Sequence, residues 1–135
     1  MKHIFYRCNI QLDKPVTSRL LLIAANSTLA TVHDIIQLAF ELDNDKDFQF
    51  YDGKITYAPR SFNIYPNNLF KPLAPHIPLS MLEPKNYSVL SYLYDSKNPF
   101  LFHIIIEKLC FANTNSTSPR LLQKPEEIYS SHSHS

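Results

Sequence analysis

Three polar residues in one short stretch have side chains and spacing that could support hydrogen-bond or acid–base chemistry. They are His33, Asp34 and Gln37, and in an α-helix His33 and Gln37 would lie one turn apart. A histidine beside a carboxylate can transfer a proton near neutral pH. The same side chains can also form a solvated or hydrogen-bonded helix face, which is the more ordinary role. We interpret the three residues as a candidate binding cluster, with the helix face as the alternative role.

Candidate residues for chemistry outside this stretch are few. If the protein is an enzyme, Asp95 would form its active site together with His33 and Asp34. His103 lies in an apolar strand pattern, where a hydrogen-bonded sheet histidine is expected. The six histidines and two cysteines lack the close ligand spacing of a zinc site, and no nucleophile motif is present. We predict no metal and no cofactor, and we assign no catalytic residue.

The stretch that carries the cluster, residues 28–42, has the spacing of an amphipathic helix. Thr28 is the predicted N-cap, and Asp43-Asn44-Asp45 is predicted to end the helix. A helix of about 14 residues is roughly 20 Å long and is too short to be stable alone, so it must pack on a sheet. Its apolar residues recur at steps of three and four: Leu29, Val32, Ile35, Ile36, Ala39 and Phe40. The opposite, polar face is predicted to carry His33, Asp34 and Gln37.

Alternating or β-rich segments on both sides of the helix predict the sheet. The first two strands, 3–12 and 16–24, are joined by Asp13-Lys14-Pro15, and Asp52-Gly53 is a second hairpin signal. Strands are also predicted for 87–94 and 100–111, with the last one central. The fold class is therefore α+β, a mixed β-sheet with one main helix across a face and a β-grasp-like order of hairpin, helix and strands.

A proline-rich connection, residues 58–86, separates the two halves of the predicted sheet. It holds six of the ten prolines together with aromatic residues, so it is predicted to pack over the sheet or to form a recognition surface. Leu79-Ser80-Met81-Leu82 is predicted to form one helical turn. Tyr65 and Phe70 are the residues that we expect to contact a partner.

Length and composition exclude several classes of protein. The 135 residues predict one α+β domain over residues 1–112, followed by a polar and mobile tail over residues 113–135. The single glycine excludes a glycine-rich phosphate loop, and the net charge of +1 does not favour nucleic acid or an anionic membrane. No apolar run approaches the roughly 18 residues of a spanning helix, and the start Met-Lys-His lacks a signal region. We expect a cytoplasmic protein with buried free thiols at Cys8 and Cys110.

Several motifs in chain order resemble one known family. They are residues 32–40 (VHDIIQLAF), 48–50 (FQF), 93–95 (LYD) and 106–109 (IEKL). From about Phe5 to Leu109 the chain is similar to the plasmid pRiA4b ORF-3-like family, whose members also carry the label TnpR as passengers of insertion elements. The resemblance implies an α+β domain from bacterial or archaeal cells, often near mobile DNA.

The chain departs from the family pattern at two places. After the helix the family commonly has Asp-Asp and then His-Leu, whereas this chain has Asn44-Asp45-Lys46-Asp47. The family signature Tyr-Asp-Phe-Gly-Asp-x-Trp-x-His becomes residues 94–102, YDSKNPFLF, without the glycine, the tryptophan or the histidine. Asp95 keeps its polar character. We interpret the chain as a divergent member in which any site formed by those polar residues is lost or altered.

Three functions remain as hypotheses. The first is a non-catalytic binding or interaction module with a protein partner, since catalytic motifs are absent and the proline-rich segment is aromatic. The second is nucleic-acid association, because four basic residues flank aromatic residues: Lys54, Arg60, Lys71 and Lys85. The third is the enzyme with a site around His33, Asp34 and Asp95.

Overall fold

The computed structural model describes residues 2–56, 71–82, 88–113 and 119–123. Within these ranges the chain forms seven strands, one α-helix and a short 3-10 helix over Leu79–Leu82. The elements are β1 (Lys2–Asp13), β2 (Val16–Ala24), α1 (Leu29–Ala39), β3 (Phe48–Asp52), β4 (Lys71–Leu73), β5 (Ser88–Tyr94), β6 (Phe100–Asn113) and β7 (Arg120–Gln123).

The strands form one sheet in the order β4-β3-β5-β6-β1-β2-β7, so β6 is central as predicted. Every strand pair in the described residues is antiparallel, and the predicted mixed sheet is wrong. The reason is the length of the connections: β1–β2 and β5–β6 are joined by short turns, which reverse the chain. The α1 connection does not create a parallel neighbour, because it leads from β2 near one edge to β3 near the other. The hairpin, helix and strand order is present, and the β-grasp likeness stays a prediction.

The helix begins where the sequence predicts and ends earlier. Thr28 is the N-cap, and its hydroxyl accepts the backbone N–H of Thr31 at 3.2 Å. The last helical residue is Ala39 rather than Leu42. Glu41 has a φ of 56°, which turns the chain back so that the Leu42 N–H donates to the Gln37 carbonyl at 2.8 Å.

Apolar side chains cover both faces of the sheet. The main core lies between α1 and the sheet, and its fully buried residues include Ile10, Ile23, Leu29, Ile36, Leu90, Phe102 and Ile104. A smaller cluster of Tyr51, Ile55 and Leu93 is separate from it, with Leu101 packed against that cluster. Because side chains alternate along β6, Phe102 and Leu101 lie on opposite faces. We refer to the face of Leu101 as the second face.

The Asp52-Gly53 pair does not join two strands of a hairpin in the described residues. Gly53 has a φ of 112°, so the glycine is used where the left-handed region is needed. However, β3 pairs with β4 and β5, and the chain after Gly53 continues to the buried Ile55. The predicted two-residue hairpin is therefore wrong, because residues 54–56 form no strand that could pair with β3.

Part of the proline-rich connection packs against the helix. The predicted turn over Leu79–Leu82 is confirmed as a 3-10 helix, with Leu79 fully buried. The backbone N–H of Leu29 donates to the Ile77 carbonyl at 2.9 Å, so this segment also binds the first turn of α1. Tyr65 and Phe70 lie outside the described residues, as do Arg60 and Lys85.

The C-terminal part of the chain contributes to the sheet. Residues 120–123, within the segment predicted as a tail, form β7 and pair with β2. The two histidines near the C-terminus lie outside the described residues. No helix in the described ranges is long and apolar enough to span a membrane.

Candidate functional site

The two helix residues of the predicted cluster that lie one turn apart are buried against the sheet. His33 and Gln37 are both covered, whereas Asp34 between them is exposed. Of the two ordinary roles considered for this helix face, solvated or hydrogen-bonded, the hydrogen-bonded one applies to His33 and Gln37, and solvation applies only to Asp34. The reason is a polar side chain on the facing strand: Tyr92 of β5 is fully buried and presents its hydroxyl to both residues. The imidazole of His33 also stacks on Phe48, with ring centroids 3.8 Å apart.

Four side chains, those of His33, Gln37, Asn44 and Tyr92, form a closed set of hydrogen bonds that we call the polar network. His33 Nδ1 is 2.6 Å from the Tyr92 hydroxyl, and His33 Nε2 is 2.8 Å from Asn44 Oδ1. Gln37 Nε2 donates to the Tyr92 hydroxyl at 2.9 Å, and Gln37 Oε1 accepts the backbone N–H of Asn44 at 2.9 Å. The network links the helix, the strand and the loop that follows the helix.

The partners of His33 determine its tautomer. Because Asn44 Oδ1 can only accept, His33 Nε2 carries the hydrogen and Nδ1 accepts the proton of the Tyr92 hydroxyl. Tyr92 then donates to His33 and accepts from Gln37, so each of these polar atoms has a partner. Among the described residues, no buried side-chain nitrogen or oxygen lacks a hydrogen bond.

Burial keeps the two titratable members of the network neutral. It lowers the pKa of His33, and the hydrogen bond to Asn44 and the charge of Asp34 oppose that effect only in part. Burial likewise raises the pKa of Tyr92, while the hydrogen bond from Gln37 acts in the other direction. At neutral pH the network therefore holds an uncharged imidazole and an uncharged phenol.

The loop after the helix, residues 43–47, is called here the acidic loop. The Tyr94 hydroxyl donates to the Asp43 carboxylate and accepts the backbone N–H groups of Asp45 and Lys46 at 2.9 and 3.0 Å. The Lys46 ammonium lies 3.0 Å from Asp43 Oδ2 and 2.5 Å from Asp45 Oδ1. The Tyr94 hydrogen bond and the Lys46 ammonium hold the pKa of Asp43 well below its usual range. The loop is thus tied to β5 while its carboxylates face solvent.

Asp95 lies in the β5–β6 turn and contacts the acidic loop through its backbone. Its N–H donates to the Asp47 carbonyl at 2.8 Å, and the N–H of Ser96 donates to Asp47 Oδ1 at 2.9 Å. Asp95 has a φ of 71°, and its carboxylate accepts the N–H of Lys97 at 3.2 Å. This aspartate therefore shapes the turn, in a conformation that asparagine and aspartate tolerate better than most residues.

The structure distributes the predicted site residues over three environments. His33 and Gln37 belong to the polar network, Asp95 belongs to the turn beside the acidic loop, and Asp34 is exposed with its carboxylate 4.0 Å from His33 Nε2. Sequence reasoning missed Tyr92 and Tyr94. The sequence feature that could have identified them is the alternation of side chains between the two faces of the sheet along residues 88–94, which places both phenols on the helix-facing side of β5.

The other residues considered for chemistry take structural roles or lie elsewhere. His103 Nε2 of β6 donates a hydrogen bond to the Ile55 carbonyl at 2.5 Å, which makes it a bonded sheet histidine as expected. Cys8 is a buried free thiol whose pKa is raised by burial to about 12. Within residues 2–56, 71–82, 88–113 and 119–123, no group of three or more potential ligands is arranged to hold a metal ion.

The comparison with known families agrees with the motifs that surround the network. Residues 4–128 match the plasmid pRiA4b ORF-3-like proteins, so this chain belongs to that family. No curated protein matches the sequence. Among solved structures, a protein of unknown function from Methanosarcina mazei Go1 has a similar fold, with a TM-score of 0.70 and 13% identity. The match covers 90% of this chain and 69% of that one, and at this identity it establishes the fold alone.

The lowered pKa of His33 predicts how stability depends on pH. In the unfolded chain the histidine has a pKa of about 6.5, whereas in the folded protein the pKa of His33 is lower, so the unfolded chain binds a proton more readily. The part of the free energy of unfolding that depends on a neutral His33 is therefore fully present above about pH 6.5 and is lost as the pH falls below that value. Urea unfolding between pH 5 and 7.5 should show a smaller pH dependence for His33→Gln than for the unchanged protein.

A matched control for this measurement is His76→Gln, since His76 is exposed. This variant should keep the pH dependence of the unchanged protein. An equal dependence in the His33→Gln variant would contradict the assignment of a neutral, buried imidazole.

Proposed function

We propose that this protein is a non-catalytic binding module that contacts a protein partner through its acidic loop and the neighbouring helix face. The observation that carries the proposal is the tie between the buried network and the exposed loop. Asn44 binds the buried network and Tyr94 binds the loop from β5, so the backbone of residues 43–47 is held on its protein side while the aspartates face solvent. A loop that is ordered before binding loses less entropy on association.

The state of the network favours binding over catalysis at this site. A general base must reach the proton of a substrate and have a pKa near the working pH. His33 instead has a lowered pKa, and both of its nitrogens are engaged by Tyr92 and Asn44. We therefore assign His33 and Gln37 to positioning the loop, and Asp34 with the acidic loop to contact with the partner.

The charges of this surface indicate what kind of partner would fit. The acidic loop contains three aspartates and one lysine, and the exposed Asp34 lies 4.0 Å from His33, which is bonded to Asn44 of the loop. The side chains of Asp34 and Asp45 are 66% and 64% exposed. Such a surface complements lysine or arginine side chains of another protein and repels phosphates. The partner is therefore a basic protein segment, with Tyr65 and Phe70 as further contact residues that stay predictions.

Location and genetic context belong to the same proposal. The buried free thiol of Cys8 supports a reducing, cytoplasmic environment. The link to insertion elements and the TnpR label rest on the family resemblance, and a basic partner that itself binds nucleic acid would be compatible with that link.

A direct test uses a fluorescent ten-residue lysine-rich peptide and anisotropy titration. The double variant Asp34→Asn/Asp45→Asn should raise Kd by about 2- to 30-fold, since each exposed ion pair contributes about 0.2–1 kcal/mol. The matched control Asp52→Asn/Glu107→Gln removes the same charge from exposed positions elsewhere and should change Kd by less than about twofold.

Labelled duplex and single-stranded DNA provide the second arm of the test. We expect no binding at physiological salt, because the proposed surface is acidic. DNA binding that weakens steeply with salt would instead favour nucleic-acid association. Equal peptide affinity in the double variant and its control would also contradict the proposal.

A further inference from the structure

A cavity of about 330 Å³ opens on the second face of the sheet, at the end where β6 begins. It lies between the tip of the β1–β2 hairpin, the start of β6 and the segment after Gly53. The lining residues that matter here are Asp13, Lys14, Thr56, Pro99, Leu101 and His103. The volume is at the lower end of the range for small-molecule sites, where a mostly apolar wall with a few polar groups is typical.

Strand register brings the first two walls together. In the β1–β6 pair Gln11 lies opposite His103 and Leu12 lies opposite Phe102, so the hairpin tip continues alongside Leu101. Leu101 and His103 are on the second face because they alternate with the core residue Phe102. The charged tip of the β1–β2 hairpin therefore lies beside the apolar residues at the start of β6.

The third wall is held by hydrogen bonds to β5 and β6. The Ser91 hydroxyl donates to the Gly53 carbonyl at 2.7 Å and accepts the N–H of Ile55 at 2.8 Å. His103 Nε2 is 2.5 Å from the Ile55 carbonyl. These bonds fix the backbone next to Thr56, so the cavity wall is formed without a ligand.

His103 lines the cavity and has one ring nitrogen that can accept a hydrogen bond. Since the Ile55 carbonyl can only accept, Nε2 carries the hydrogen, and in the neutral imidazole Nδ1 keeps its lone pair. No group in the described part of the chain is hydrogen-bonded to Nδ1. A ligand N–H group is the complement of this nitrogen.

The hairpin tip adds two opposite charges. Asp13 and Lys14 are adjacent and exposed, and neither forms an ion pair with another described residue. A ligand that carries both an ammonium and a carboxylate would match them. Pro99 and Leu101 supply the apolar surface for the rest of such a ligand.

We propose that this cavity binds a free amino acid with an apolar side chain. The ammonium group of the ligand pairs with Asp13 and donates to His103 Nδ1, its carboxylate pairs with Lys14, and its side chain packs on Pro99 and Leu101. The lining of the cavity shares no residue with the acidic loop. The two proposals can therefore fail separately, because the peptide test depends on Asp34 and Asp45 and this one on the hairpin tip.

The test is an NMR titration with L-leucine that follows the imidazole of His103 and the amides of residues 13 and 14. We expect saturable shifts with a Kd of about 1 mM or lower. N-acetyl-leucine lacks the ammonium and leucinamide lacks the carboxylate, so each should bind more weakly than leucine. Absence of saturable shifts with leucine, or equal shifts with all three compounds, would overturn the proposal.

Variants at the exposed hairpin tip test the charges without disturbing the core. Lys14→Met and Asp13→Asn should each raise the Kd for leucine about two- to fivefold, the range of an exposed ion pair. Lys97→Met removes an exposed lysine outside the cavity and should leave the Kd unchanged. Unchanged affinity in both tip variants would show that the charges do not recognise the ligand, which would also overturn the proposal.

Discussion

Replacing Ile36 by alanine is expected to lower the free energy of unfolding by about 2–5 kcal/mol. The side chain is 0% exposed and lies in the main core between α1 and the sheet. Truncation removes three buried carbon atoms and leaves a cavity that a packed core fills only in part. Urea unfolding monitored by circular dichroism at pH 7.5 measures the change directly.

The matched control is Leu38→Ala, two residues further along the same helix. Leu38 is 81% exposed, and alanine is at least as good a helix former as leucine. We expect a change within about 0.5 kcal/mol. A loss below about 1 kcal/mol for Ile36→Ala, or similar losses for both variants, would show that the buried face of α1 is assigned incorrectly.

Replacing Tyr92 by phenylalanine is expected to destabilise the protein by about 2–6 kcal/mol. The substitution preserves the ring and removes only the hydroxyl, which accepts from Gln37 and donates to His33. Two buried polar groups then lose a partner, and each unpaired group costs about 1–3 kcal/mol. The loop anchored by Asn44 should also open more often, because Asn44 is bound to His33 and Gln37. Faster amide hydrogen exchange at Asn44 would report that opening.

A double-mutant cycle separates the lost hydrogen bonds from a general weakening of the core. In a Gln37→Met background one of the orphaned groups is already absent, so Tyr92→Phe should cost about 0.5–3 kcal/mol less there. Strictly additive effects of the two substitutions would indicate that Gln37 and Tyr92 do not interact. A loss below about 0.5 kcal/mol for Tyr92→Phe alone would show that the network does not stabilise the fold.

Local features of the fold could be predicted from the sequence because their causes lie within a few residues. Thr28 caps the helix through the N–H of Thr31, three residues away. The β1–β2 hairpin follows from two strand patterns around a proline turn, and Gly53 adopts the positive φ that its position in a turn suggested. Predictions of this kind depend on backbone geometry and on the period of apolar residues, both of which are visible in a short window.

Features with distant causes were predicted incorrectly or missed. The apolar periodicity of α1 predicted that His33 and Gln37 lie on the polar face, opposite the apolar stripe. Their burial depends on the hydroxyl of Tyr92, which is 59 residues from His33 and 55 from Gln37. The antiparallel pairing of the sheet also depends on distant parts of the chain. After α1 the chain could have formed a parallel strand next to β2, but it forms β3 on the far side of the sheet instead.

The sequence by itself determined an α+β domain, the helix and its start, the first hairpin, the central β6 and membership of a family through the motifs around His33 and Asp95. Only the tertiary structure decided that His33 and Gln37 face inward and that Asp34 faces out. The physical reason is that a polar side chain is buried only where a partner replaces its hydrogen bonds to water. That partner, Tyr92, lies beneath the helix because β5 is paired between β3 and β6 in the sheet.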